Sequence, residues 1–165
     1  MQKTMADLVL RPRRPDDDAF IYRLSEVVFA AYSRSPTAAL DTMLREPAAR
    51  VTVAEQAGAA VGFTVVGIER RDRPFGPWER PALARLNAIS VLPGLAGRGL
   101  GARLLEHAEI MAEDEEGAVS MTLMTAETNT RARRLFKSAG YSRLFTVEHA
   151  YAGGQRGIVM VKALG

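Results

Sequence analysis

Three glycines at alternate positions, Gly97, Gly99 and Gly101, punctuate the segment Val91-Leu92-Pro93-Gly94-Leu95-Ala96-Gly97-Arg98-Gly99-Leu100-Gly101. Glycine removes the side chain where a backbone must approach something closely. The apolar residues before the segment read as a strand. Those after it, Leu100, Leu104, Ala108 and Met111, recur on one face of a helix. Amide N–H groups at a helix start point outward without intrahelical partners, and the helix dipole favours negative charge there. Such a turn can cradle a diphosphate. A P-loop would need Gly-Lys followed by Ser or Thr, and the turn holds no lysine. The dinucleotide pattern G-x-G-x-x-G fits Gly97 and Gly99 but meets Ala102 in third place. Glu127, at the end of the following strand, keeps that alternative open. The plainest alternative is a turn that merely closes a helix against a sheet.

One strand later comes Asn129-Thr130-Arg131-Ala132-Arg133-Arg134-Leu135-Phe136-Lys137-Ser138-Ala139-Gly140-Tyr141. With this second segment the chain resembles the GNAT superfamily of acetyl-CoA-dependent N-acetyltransferases. The family's first motif is V-x-P-x-x-[QR]-G-x-G-[IL]-[GA] and its second is N-x-x-A-x-x-[LF]-[YF]-x-x-x-G-[FY]. Both occur in order, separated by a helix and a strand, and the likeness is strongest from about Leu83 to Tyr141.

The resemblance implies acetyl-CoA as cofactor and direct attack of an amine on its thioester. Ile89, Ser90 and Val91 match the strand end whose backbone pairs with the pantetheine arm. The amides of Leu95, Ala96, Gly97, Arg98, Gly99, Leu100 and Gly101 match the diphosphate turn, and the Val91 N–H matches the family's oxyanion donor. Asn129 matches a cofactor contact, although asparagine is also a favoured helix cap. Arg131, Arg134 or Lys137 could approach the 3′-phosphate. Three positions depart from the pattern. Ala96 replaces the Gln or Arg at the head of the turn. Phe136 stands where a tyrosine often donates a proton to the departing thiolate, so ring packing survives without the hydroxyl. Arg85 and Met124 stand where members carry a glutamate base. A water held by Asn87 or Ser90, or a carboxylate such as Glu79, Glu127 or Glu148, could take that role, with Tyr32 and Tyr151 as spare hydroxyls. A CoA-binding module without turnover is the competing reading.

The elements that must position these residues follow from periodicity. Val9 to Arg13 reads as a strand, residues 17–32 as an amphipathic helix, and a shorter helix runs from Ser35-Pro36 to before Pro47. Val51, Val53 and Val61 to Ile68 form a hairpin around Ala57-Gly58, and 71–81 is a surface loop. Leu83 to Val91 is a strand, a helix starts at Gly97, and Val119 to Thr125 is a strand. Residues 129–139 form a helix closed by Gly140. Tyr141 to Tyr151 and Ile158 to Leu164 are strands around Gly153-Gly154. The order β-α-α-β-β-β-α-β-α-β-β indicates an α/β or α+β architecture. The resemblance implies a mixed, mostly antiparallel central sheet and one N-acetyltransferase domain over 1–165.

The chain's 165 residues fit one domain on size alone. It has no cysteine, which excludes disulfides, thiolate metal sites and a cysteine nucleophile. No metal is expected, because the two histidines lack partners at ligand spacing. No apolar run nears the ~20 residues of a membrane helix, and Met1 to Asp7 lacks the apolar core of a signal peptide. A cytoplasmic protein is the expectation. Arginine clusters at 11–14, 70–73 and 131–134 alternate with acidic runs, so nucleic acid is not favoured. Phe29, Tyr32, Trp78, Glu79, Arg80, His149 and Tyr151 fall on the segments that shape the acceptor site in the family. A small amine or a peptide N-terminus is the expected acceptor. The family's pairing into homodimers is compatible with the sequence, which does not specify it.

Overall fold

Ala57 and Gly58 both adopt left-handed backbone, with φ of 52° and 78°. Two successive left-handed residues make the hairpin turn whose twist matches that of the strands it joins. It connects β2 (Ala49–Gln56) to β3 (Ala59–Arg70). In the computed structural model, which describes residues 7–165, this hairpin anchors a seven-stranded sheet. The N-terminal segment weighed above as a leader lies, but for Asp7, outside the described residues.

The remaining elements are β1 (Leu8–Pro12), α1 (Asp18–Val28), α2 (Pro36–Arg45), β4 (Ala82–Val91), α3 (Leu100–Asp114), β5 (Ala118–Ala126), α4 (Thr130–Ser138), β6 (Ser142–Tyr151) and β7 (Gln155–Ala163). The strand order is β1-β2-β3-β4-β5-β7-β6, and every neighbouring pair is antiparallel except β4 with β5. The element order is the one read from periodicity. Several boundaries differ: β3 spans Ala59–Arg70 rather than Val61 to Ile68, β7 begins at Gln155 rather than Ile158, and two helices differ at one end. The helix read over 17–32 ends at Val28, where Phe29 leaves helical geometry and the chain turns on bonds from the Tyr32 and Ser33 N–H groups to the Phe29 carbonyl. The helix read from Gly97 starts at Leu100, because Gly97 (φ 81°) and Gly99 (φ 80°) are left-handed and cannot belong to a right-handed helix.

Helices cover both faces of the sheet. Ile21 and Leu24 of α1 and Leu40 of α2 pack on Val53, Phe63, Val65 and Ala88. On the other face, Leu105, Ala108, Met111 and Ala112 of α3 and Phe136 of α4 pack on Ala84, Leu86, Met121, Leu123 and Ile158. Glu109 of α3 is buried in this layer. It accepts hydrogen bonds from the Tyr141 hydroxyl at 2.9 Å and the Lys162 ammonium at 2.7 Å, so its charge is paired where water is scarce.

The irregularity that matters is in β4. Val65 pairs with Ala88 and the next β3 residue, Val66, pairs with Leu86, which leaves Asn87 as an extra residue. Such a bulge bends the strand and shifts its alternation. Ala82, Ala84 and Leu86 accordingly face the α3 layer, whereas Ala88 faces α1 and α2. On its other edge β4 stays with β5 only through Leu86 and Leu123, although β4 runs on to Val91 and β5 to Ala126. Beyond that point β4 remains paired with β3 as far as Gly62, and β5 remains paired with β7 as far as Gly157. The sheet therefore opens between Asn87–Val91 and Met124–Ala126.

Gly62 holds one wall of this opening. A Cβ there would stand 2.7 Å from the Ser90 carbonyl oxygen and 3.1 Å from Leu104 Cδ1. Replacing Gly62 by alanine overpacks this contact and should lower the unfolding free energy by about 1–3 kcal/mol. Urea denaturation checks this, and an unchanged midpoint would contradict the tight approach of β3 and β4.

Candidate functional site

The seam between β4 and β5 leads into a cavity of about 440 Å³, within the range of small-ligand sites. The walls come from both sides of the seam. Arg85 to Ile89 of β4 and Leu123 to Ala126 of β5 form two of them. Phe29, Tyr32 and Ser33 after α1, and Pro36, Ala39, Leu40 and Met43 of α2, form a third. Asn129, Ala132 and Phe136 from the α4 segment, with Ala150 and Tyr151 at the end of β6, close it.

The β4 edge that faces the seam has backbone groups to offer. The Leu92 N–H donates to the Val61 carbonyl at 2.9 Å, towards β3. Successive amides alternate along a strand, so the Val91 and Ile89 N–H groups point to the opposite edge, into the seam. At the end of the seam lies the glycine turn. The Leu95 and Ala96 N–H groups, read from sequence as phosphate donors, are already bonded to the Leu92 and Pro93 carbonyls at 2.9 and 3.2 Å. Those two bonds build a single helical turn over Pro93–Leu95, so both amides point inward. The donors begin at Gly97. Among the described residues, the N–H groups of Gly97, Arg98, Gly99, Leu100, Gly101 and Ala102 have no protein acceptor. The first bond of the helix start runs from Arg103 N–H to the Gly99 carbonyl.

The three glycines serve different ends. Gly97 is left-handed, and a Cβ on it would meet nothing within 4 Å, so it faces open space. Gly99 caps α3 in left-handed geometry. A Cβ on Gly101 would stand 3.4 Å from Leu135 Cδ2, an ordinary contact that places the α3 start against α4. The reading of a turn that merely closes a helix leaves the open face of Gly97 unexplained. Arg98 and Arg103 beside the turn are exposed and make no ion pair among the described residues. The same is true of Arg131, Arg134 and Lys137 on α4.

Asn129 does cap α4: its side-chain oxygen accepts from the Ala132 N–H at 3.2 Å while the residue also lines the cavity. Phe136 is 3% exposed and stacks edge-on with Tyr141, so its ring is a floor of the cavity. Asn87, the bulge residue, lines the cavity. Ser90 does not: it is buried on the α1 side of the alternation, and its hydroxyl has no hydrogen-bond partner among the described residues. Its seam-side contribution is backbone alone.

None of the three carboxylates named from sequence lines the cavity. Glu127 pairs with Arg156 at 2.8 Å, Glu148 lies 3.6 Å from the same guanidinium, and Glu79 is exposed on the 71–81 loop. Trp78, Arg80 and His149 are likewise outside the lining. Trp78 instead bridges to Phe75 within its own loop. The two spare tyrosines do meet at the cavity. Tyr32 and Tyr151 stack edge-to-face with centroids 6.0 Å apart, and neither hydroxyl has a protein partner among the described residues. Burial pushes the Tyr151 hydroxyl up to about 12, so it holds its proton at neutral pH. Sequence reading pointed to the first two helices but named no residue of the α2 wall. Pro36, Ala39, Leu40 and Met43 follow helical spacing and are indistinguishable from an ordinary core stripe without knowing that the sheet beneath them splits. It also missed Thr125, whose position at a strand end carries no signal of its own.

Chemically, this is an open strand edge leading to a set of unspent amides with exposed arginines beside it, next to an apolar cavity with two hydroxyls. Comparisons with known proteins agree with that picture. The family model described as "Acetyltransferase (GNAT) family" matches residues 18–141. An uncharacterized N-acetyltransferase of Archaeoglobus fulgidus is 36% identical over 93 residues, covering 56% of this chain and 60% of that protein. The match thus spans less than two thirds of that relative. The ribosomal-protein-S18-alanine N-acetyltransferase of Escherichia coli superposes with a TM-score of 0.77 at 20% identity, over 96% of this chain and 94% of that one. NAA60 of Arabidopsis thaliana, solved in complex with acetyl-CoA, gives 0.79 at 14% identity, over 94% and 98%. At such identities the two structures speak for the fold. The family match runs from α1 through the split strand and the glycine turn to Tyr141, the last residue of the second motif, and on that span the chain belongs to the acetyltransferase (GNAT) family.

Proposed function

We propose that this chain is an acetyl-CoA-dependent N-acetyltransferase, one domain over 1–165, that transfers an acetyl group to a primary amine of a small molecule or a peptide N-terminus. The observation that carries the reading is the open seam that ends at six unspent amides. A strand edge can pair with an extended amide-bearing arm, and the amides with their surrounding arginines suit a diphosphate. When bound, acetyl-CoA supplies the thioester whose acyl group is transferred.

The chain's own residues then have separable tasks. Ile89 and Val91 present backbone groups that hold and orient the arm. The Val91 N–H, aimed into the seam, is the donor for negative charge that develops on the acyl oxygen. The amine attacks from the side of Phe29, Tyr32 and α2. With no carboxylate on the cavity wall, a water held by the Asn87 amide is the proton acceptor for the amine. The proton for the leaving sulfur, which Phe136 cannot supply, is assigned to the Tyr151 hydroxyl, which lines the cavity without a protein partner among the described residues.

Two outcomes test this. Gly99→Asp brings a carboxylate into the diphosphate space. Because Gly99 is left-handed, the variant should also lose about 1 kcal/mol of stability. Isothermal titration should show acetyl-CoA binding lost in a protein that still melts cooperatively; undiminished affinity would contradict the assignment of the turn. Tyr151→Phe should lower kcat by about 10²-fold or more with little change in KM for acetyl-CoA. In the wild type, the raised value of Tyr151 keeps the donor protonated, so kcat should not fall on its account below about pH 10. Thioester release measured with an amine library across pH checks both. Cofactor binding without turnover of any amine would instead favour a binding module.

A further inference from the structure

Among the described residues, Arg85 is the one of formal charge that lines the cavity. It stands on β4 two residues before the bulge, opposite Gly67 of β3 and Thr122 of β5, on the side of the sheet that α1 and α2 cover. Its side chain is exposed, and its guanidinium makes no hydrogen bond and no ion pair among the described residues. Arg143 of β6 is likewise unpaired but lies outside the cavity lining, whereas four other arginines of the sheet are paired. Arg11 is held by Asp17 and Glu55 at 2.7 and 2.8 Å, Arg50 and Arg70 by Glu116, and Arg156 by Glu127. Glu46, at the end of α2, approaches the Gly67 position, with Oε2 3.5 Å from where a Cβ would stand, yet it forms no ion pair with Arg85 and does not line the cavity.

An amine in water carries a proton and a positive charge. Bringing it into a cavity whose wall carries an exposed, unpaired guanidinium sets like charges near each other, a solvent-screened repulsion that disfavours entry of a cation modestly. An acceptor that carries its own carboxylate removes the conflict. The planar fork of Arg85 pairs with the carboxylate in two parallel charge-assisted hydrogen bonds. Beside the Tyr32 and Ser33 side chains, the acceptor wall has an apolar part, Phe29, Leu40 and Met43, that receives a hydrocarbon or aromatic body. Polyamines and other polycations bring charge of the wrong sign.

Resting on the transferase reading above, we propose that the acceptor is a small amine of the amino-acid type, its carboxylate anchored by Arg85 and its apolar side chain lodged against Phe29, Leu40 and Met43. Arg85 then sets specificity by what it admits as well as by what it repels.

The experiment compares leucine, methionine and phenylalanine with their C-terminal amides, with phenethylamine, and with a peptide amide that begins with phenylalanine and carries aspartate second. Acetyl transfer and equilibrium binding to the CoA-loaded protein are both read. For the wild type, kcat/KM should favour the free amino acids over their amides by about 10- to 100-fold. In Arg85→Gln that ratio should collapse to near one, in Arg85→Lys part of it should remain, and in Arg85→Glu it should invert. Cooperative thermal melting of each variant shows that it is folded. Equal kcat/KM for acid and amide in the wild type, or a preference that survives Arg85→Gln, overturns the proposal. So does a preference for the aspartyl peptide over the free amino acids. If acetyl-CoA binds but no amine is acetylated, the transferase reading fails, and the titrations still decide the anchor. Tighter binding of acids than amides, lost in Arg85→Gln, supports it, and no such difference overturns it.

Discussion

A strand cannot keep two partners that diverge. Beyond Leu86 the extra residue Asn87 turns β4 to follow β3, while β5 is held to β7 up to Ala126 and Gly157. The hydrogen-bonding edge that β4 would have spent on β5 is left unpaired, and an unpaired edge in a protein interior is costly unless something satisfies it. Everything functional here depends on that opening. It creates the cavity, turns the Val91 N–H towards it, and delivers the chain into the glycine turn from the right side.

The close contact at Gly62 and the left-handed pair Gly97 and Gly99 are the local devices that keep the opening in shape. The first presses β3 against the end of β4, so the bend is not relaxed by separation of the strands. The second halts helix formation until Leu100, and the amides of residues 97–102 stay unspent as a result. Charge is distributed to match. Arginines that serve architecture are paired with carboxylates, as Arg11 is with Asp17 and Glu55. Those at the turn and in the cavity are left without protein partners, where an anionic ligand can use them.

Much of this was legible in the sequence, for reasons that differ by residue. The glycines and Asn129 announced themselves because their physical requirement, left-handed backbone or a cap, restricts residue choice. The element order followed from periodicity that the core clusters require. What stayed hidden depends on the third dimension. The spent amides of Leu95 and Ala96 follow from a single helical turn that Pro93 starts. The burial of the Ser90 hydroxyl follows from the parity shift at Asn87, and a bulge leaves no mark in composition. Glu127 and Glu148 looked available as bases until Arg156 was seen between them. That Tyr32 and Tyr151 meet at the cavity follows from the turn after α1, which no local pattern announces.

The most direct test of the central claim is a ¹⁵N–¹H correlation spectrum of glycine-labelled protein titrated with acetyl-CoA. On saturation the Gly97, Gly99 and Gly101 amides should shift downfield and become protected from exchange, while the Gly117 amide, bonded to the Glu113 carbonyl at the opposite end of α3, stays where it was. Binding that leaves the three turn glycines unmoved would contradict it, because the cofactor would then be held by something other than the unspent amides beyond the split strand.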